Sequence, residues 1–355
     1  MSAPSSSGAL PDTMRAIRID AHGDLDALAA TEVPRPEPGP GEVLVEVRAA
    51  GLNHLDLWVR KGVPGHEFPL PLIPGCDGAG VVAALGEGTK RAAVGDEVIL
   101  APGLSCGVCA ACLSGRDPFC TQYGILGETR DGTCAEFVVV PEANLIQKPK
   151  SAPWEEAGCF ALVALTAWTM LTDRAQLGPG ETVLVLAGGS GVGSLGIQIA
   201  KFLGARVIAT AGGAEKCERV AHLGADEVID HSSTSISKAV KSWTDGRGVD
   251  VVFEHVGAAT WDESLKSLAW GGRLVTCGAT TGADASVHLR RLFFKSQSIL
   301  GSTMGPRSHL FPLVDLFDQR ILTPVLAEAL PLTDLPEAHR RLEAREVFGK
   351  LVVTP

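Results

Sequence analysis

The run TVLVLA at 182–187 ends in Gly188-Gly189-Ser190-Gly191-Val192-Gly193 and passes straight into the apolar-periodic stretch GSLGIQIAKFLG. An uninterrupted apolar strand that turns on glycines into a helix is half of a βαβ unit. The pattern then repeats. RVIATA at 206–211 precedes a helical AEKCERVAHLG, and EVID precedes an amphipathic stretch. VDVVFEHV at 249–256 precedes a helical TWDESLKSLAW, and the strands GRLVTCGA at 272–279 and QSILGSTM follow. Strands of continuous apolar character separated by helices require a parallel sheet covered on both faces. Right-handed crossovers then make region 161–304 a doubly wound α/β domain.

The first half reads differently. Thirteen residues rich in Ser, Pro, Gly and Ala are expected to be a disordered tail (1–13). Beyond them, short runs such as EVLVEVRAAGLN, GAGVVAALG, DEVIL and AEFVVV are bounded by Gly, Pro and Asp, so 14–160 is a β-rich domain. Residues 305–355 show two helical stretches and a closing GKLVVTP without further alternation, and are assigned back to the first domain. At 355 residues, two cores are the default expectation. Thirty-one Lys and Arg against 41 Asp and Glu, with no basic block, argue against nucleic acid and anionic membranes as partners. No run approaches the ~18 apolar residues of a membrane span. The N-terminus lacks the apolar run of a secretion signal, so a cytoplasmic address is expected.

The glycine turn is a place for a dinucleotide, whose pyrophosphate seeks a helix N-terminus and a backbone without Cβ atoms. Counted from the strand end, the frame is Gly188, Ser190 and Gly193; a literal G-x-G-x-x-G at Gly191, Gly193 and Gly196 begins inside the helix. The expected contacts are Gly188, Ser190, Gly191, Val192 and Gly193, with Gly212 after the second strand and Gly278 at a later strand end. An acid that would bind the adenine ribose of NAD is missing there. The second strand ends at Ala211, and Glu215 comes four residues too late. Without that acid a 2′-phosphate is not repelled, and Thr210 and Lys216 are placed to hold it, which favours NADP(H) over NAD(H). A solvated helix charge is the alternative for Lys216.

Cys106, Cys109, Cys112 and Cys120 crowd into fifteen residues. Four thiolates at this spacing close around a tetrahedral zinc with no open position, so the expected ion is structural. Disulfide pairing is the lesser alternative, given the expected compartment.

With these motifs in hand, the sequence resembles the medium-chain dehydrogenase/reductase superfamily, in its zinc-binding alcohol dehydrogenase and quinone reductase branches, over nearly all of 14–355. The four-cysteine lobe, the GGSGVG turn, GLNHLDLW at 51–58 and PGCDGAGVVAALGEGT at 74–89 carry the resemblance. It implies a GroES-like catalytic domain, a Rossmann domain, and a homodimer or homotetramer paired through the QSILGSTM edge. It also exposes departures. The position of the first catalytic-zinc ligand holds Asn53, the second frame reads Gly75-Cys76-Asp77, and the third falls on Leu162. Leu55 stands at the proton-relay position, and the literal Gly65-His66-Glu67 lacks the glycines that should follow it.

Without a catalytic zinc, hydride exchange with a simple alcohol loses its main electrostatic stabilisation. Conjugated acceptors need less, so the leading expectation is an NADPH-dependent reductase of quinones or α,β-unsaturated carbonyls, with a small-molecule substrate. Asn53 is the candidate donor to the acceptor oxygen, His54 the candidate phosphate contact or proton relay, and Tyr123 a candidate donor. Two alternatives stand beside it. One is a zinc alcohol dehydrogenase with ligands rearranged among Cys76, Asp77, His66 and Glu67. The other is an NADPH-binding protein with little turnover.

Overall fold

A computed structural model describes residues 10–355. Most of the tail read as disordered lies outside the described residues. Its last four do not fit that reading: the Arg35 guanidinium donates to Pro11 O at 2.7 Å, Arg35 N donates to Asp12 O at 2.9 Å, and Thr13 opens a strand. Pairing of Thr13–Arg18 with Ala29–Pro34 extends to Thr13 and Pro34, which fixes the chain earlier than composition suggested.

Two sheets organise the molecule. The first runs in the order Leu326–Pro331, Lys350–Thr354, Glu42–Gly51, Ala79–Leu85, Glu97–Leu100, Leu145–Gln147, with Phe137–Pro141 also paired to Glu42–Gly51. The closing strand therefore lies inside the catalytic sheet, with Val352 opposite Gly51 and Val353 opposite Ala50. The second sheet is six-stranded and parallel, ordered Glu227–Asp230, Arg206–Ala211, Thr182–Val185, Val249–Glu254, Leu268–Thr276, Ser298–Gly301. Every residue of Thr182–Val185 is buried, as a strand covered on both faces by helices demands. The helix expected over TWDESLKSLAW stops at Ser267, because Leu268 already pairs with Val249 across an irregular step in the ladder.

Between the sheets lies the helix Ala161–Thr169, buried at every position except Trp168, which continues as the π-helical turn Met170–Arg174. The strand Ser298–Gly301 forms one edge of the parallel sheet, and near it Trp270, Leu289, Phe293 and Phe294 are exposed. Among the described residues, no helix is long and apolar enough to cross a membrane.

Candidate active site

The nucleotide turn folds as its residues require. Ser190 caps the helix Gly191–Phe202, its hydroxyl accepting from Gly193 N at 2.9 Å. A Cβ on Gly193 would stand 2.3 Å from the Ala187 carbonyl, so only glycine permits this tight a start. Gly191 has a different reason. A Cβ there would meet the Lys350 side chain at 2.6 Å, because the closing segment Phe348–Lys350 lies on the turn. Gly349 N donates to Gly189 O at 2.7 Å and anchors that segment.

Lys350 is the residue that sequence reasoning missed. Its side chain passes Gly191 and buries an ammonium that donates to Leu52 O and Asn53 Oδ1, both at 2.5 Å, and faces Asp77 Oδ2 at 3.3 Å. Asn53 in turn donates its Nδ2 to Asp77 Oδ2 at 3.0 Å, with Cys76 Sγ at 3.4 Å and Gly51 O at 3.3 Å. The other Asp77 oxygen accepts from Leu162 N at 2.8 Å. The three ligand-frame positions thus meet in space, but as a closed network of amide, carboxylate, ammonium and backbone. At these positions Leu162 offers only an N–H, and the buried ammonium stands where it opposes a further cation. The expectation that Asn53 donates to an acceptor oxygen is corrected here, because both ends of its carboxamide are spent on these internal partners. The GKLVVTP run contained the signal. It became readable only once that strand was known to enter beside Gly51.

His54 begins the helix His54–Lys61 and is largely buried; burial first, then the charges of His255, Lys350 and Arg345, lower its pKa to about 4. His255 closes the same corner, its Nε2 3.0 Å from Leu186 O, and burial lowers it to about 4 as well. Both rings are neutral at pH 7, so neither supplies a ready proton. Tyr123 belongs to another cluster, with Gly103, Asp117, Glu128 and Arg307. Its buried hydroxyl has no partner among the described residues, and burial raises its pKa, so it stays protonated. His66 and Glu67 sit on an exposed loop, His66 being 3.7 Å from Glu128. Among the described residues, the one cluster of metal-ligand type is the four-cysteine lobe.

On the adenosine side, Thr210 is corrected. Its hydroxyl is buried and accepts from Ala187 N at 3.0 Å, which stiffens the turn and holds it inward, away from a surface phosphate. An acid does stand nearby, at the tip of the neighbouring strand. Asp230 accepts from Gly213 N, Ser232 N and Ser232 Oγ, and these bonds hold its pKa near 2. Its Oδ1 takes all three and through Gly213 N fixes the Gly212–Gly213 loop. Gly278 follows the strand Leu268–Thr276, beside His255 O.

Asp56 supplies a pH test. It is buried, its Oδ2 accepts from Asn53 N at 2.7 Å, and Oδ1 has no partner. Burial raises its pKa from 3.8 to about 6. The folded state therefore holds this proton more tightly than the unfolded chain, and stability falls as pH rises from about 4 to about 6. Asp56→Asn should raise stability at pH 7 by about 2–3 kcal/mol and leave it unchanged near pH 4. A variant no more stable than the parent at pH 7 in urea unfolding contradicts this.

Known proteins share this architecture. The Alcohol dehydrogenase GroES-like domain model matches residues 39–150, and the Zinc-binding dehydrogenase model matches residues 191–319. The chain is 33% identical to a crotonyl-CoA carboxylase/reductase of Cereibacter sphaeroides, covering 92% of this chain and 83% of the relative. It is 32% identical to a quinone oxidoreductase of Pseudomonas aeruginosa, covering 96% and 99%. A crystal structure of an NAD-dependent alcohol dehydrogenase superposes with a TM-score of 0.93 at 48% identity, covering 96% of this chain and 100% of that one. With two family models on its two domains and relatives of these kinds along its whole length, the chain belongs to the medium-chain dehydrogenase/reductase superfamily and is an NAD(P)H-dependent oxidoreductase.

Proposed function

We propose that the enzyme uses NADPH to reduce a conjugated acceptor, a quinone or an α,β-unsaturated carbonyl, without a catalytic metal, and that its four-cysteine lobe holds one structural zinc. The closed network of Asn53, Asp77, Lys350 and Leu162 N carries this reading. It fills the place from which a metal would polarise an alcohol oxygen, and without such a cation an alkoxide is not stabilised at neutral pH. In a conjugated acceptor the charge that develops on hydride addition is spread along the system, so fewer donors suffice.

The bound nicotinamide supplies the hydride. The chain does the rest. The N-terminus of Gly191–Phe202 would hold the pyrophosphate with its first N–H groups and its positive dipole end. His54 is neutral at pH 7 and so carries no extra proton to transfer. Leu55 breaks any hydroxyl chain at the relay position, so the product's proton comes from solvent. NADPH is favoured because no acid ends the strand Arg206–Ala211, whereas Lys216 and Arg219 follow it.

The test is nicotinamide absorbance in two assays. NADPH should be consumed with an α,β-unsaturated ketone or a benzoquinone, and NADP⁺ should not be reduced by a primary alcohol. Turnover of the alcohol at a comparable rate defeats the proposal; no turnover with any acceptor favours the binding-only alternative.

A further inference from the structure

The four-cysteine lobe carries an apolar surface that packing within the chain does not explain. Val108 and Leu113 are 75% and 76% exposed, more than any other large apolar side chain among the described residues, and Phe119 is 68% exposed. Each is the chain neighbour of a cage cysteine: Val108 of Cys109, Leu113 of Cys112 and Phe119 of Cys120. Apolar side chains grouped in water mark a surface that meets something apolar.

The thiols beside this surface are also the accessible ones. Cys106, Cys109 and Cys112 are half-buried, and Cys112 Sγ stands 3.5 Å from Cys109 Sγ and 3.9 Å from Cys106 Sγ. Cys76, Cys134 and Cys159 are buried. Cys217 and Cys277 are half-buried, but burial raises both thiols, Cys277 to about 12, and keeps them protonated at pH 7. The thiolate is the nucleophile, and a cysteine must give up its proton to hold zinc. Three lobe cysteines therefore combine access with negative charge, next to an apolar landing surface.

We propose that the lobe is a modification site, where a conjugated acceptor with an apolar body adds covalently to Cys106, Cys109 or Cys112 and stops the enzyme. This rests on the acceptor and structural-zinc readings above. The sulfur electron pair bonds to the β-carbon, the C=C pair moves onto the carbonyl oxygen, and the enolate takes one proton from solvent. Nothing is oxidised or reduced. The sulfur becomes a neutral thioether, so the cage keeps three of its four thiolates. The helix Ala110–Leu113 buries no residue, and the lobe has little else to hold it. Asp117, which accepts from Arg307 N at 3.2 Å, carries the loosening to the segment that leaves the nucleotide domain. Acceptor in excess of the NADPH that reduces it thus halts turnover without entering the cleft.

The test uses the enzyme as purified, without NADPH, and two probes, phenyl vinyl ketone and methyl vinyl ketone. A chromophoric chelator follows zinc, peptide mass locates the thioether, and each rate is divided by that of a free thiol in solution. The first adduct should fall on the peptide holding Cys106, Cys109 and Cys112, with about one zinc released per adduct. The phenyl ketone should react roughly three- to tenfold faster on this corrected scale. Val108→Ser combined with Leu113→Ser keeps all four cysteines and should remove most of that preference. First adducts on Cys217 or Cys277, zinc retained after a lobe thiol is alkylated, or a preference unchanged in the double variant each overturn the proposal. Zinc counted before the probe is added tests the structural metal by itself, and its absence fails both readings of the lobe. No consumption of NADPH with these ketones, while the lobe is alkylated, fails the acceptor reading alone.

Discussion

Replacing Asp77 by alanine should lower the melting temperature by roughly 6–10 °C, at about 2 °C per kcal/mol for a chain of this size. The reason is an unpaired buried charge. Lys350 and Asp77 are 4% and 0% exposed, and breaking such a pair from one side costs about 3–5 kcal/mol. Asp77→Ala also removes the acceptor for Leu162 N and for the Asn53 amide, two further buried donors. Lys350→Met should cost less, since Asp77 keeps both of those donors and the methionine stem still fills the space against Gly191. The double variant should then be more stable than the sum of the two losses implies, because it leaves no charge unpaired. Thermal unfolding of the four proteins decides the matter. A loss below about 1 kcal/mol in Asp77→Ala, or strict additivity, means that the pair is not what holds the slot closed.

That network shows where sequence reasoning stopped. Asn53, Cys76 and Leu162 were legible as departures because each stands in a frame whose spacing is short and local. The residue that answers them, Lys350, is 273 positions from Asp77, and no spacing rule joins the two. The doubly wound domain was legible because period and composition both change along 182–301, and each strand announces itself by its own apolar run. Thr210 was misread because a strand-end residue points to one face or the other by a single step of register, and the turn took its hydroxyl inward.

Protein purified without added metal should contain one zinc per chain, held by Cys106, Cys109, Cys112 and Cys120. The thiols are free, and their Sγ atoms stand 3.5, 3.6 and 3.9 Å apart where they touch. A tetrahedral site with Zn–S bonds of ~2.3 Å has edges of about 3.8 Å, close to these three, and all four Sγ atoms lie within 4.8 Å of one another. Little else holds the lobe. Its helix Ala110–Leu113 buries no residue, and Val108, Leu113 and Phe119 are exposed. With no core of its own, the lobe would draw its folding energy from that zinc. Cys109→Ser or prolonged chelation should therefore release the zinc and open the lobe to proteolysis between 104 and 124, while the parallel-sheet domain remains intact. The damage should reach further along one route. Asp117 is buried and accepts from Arg307 N at 3.2 Å, and Arg307 reaches Asn144, which ties down Ala101 and Gly103. Loosening the lobe thus frees the segment where the chain leaves the nucleotide domain, and turnover should fall although no cysteine touches substrate. Two zinc ions per chain defeat the metal-free chemistry; none, with the lobe still protected, defeats the structural metal. Asn53, Asp77 and Lys350 satisfy one another without an ion, so a count of one is expected to come from the cysteine lobe alone.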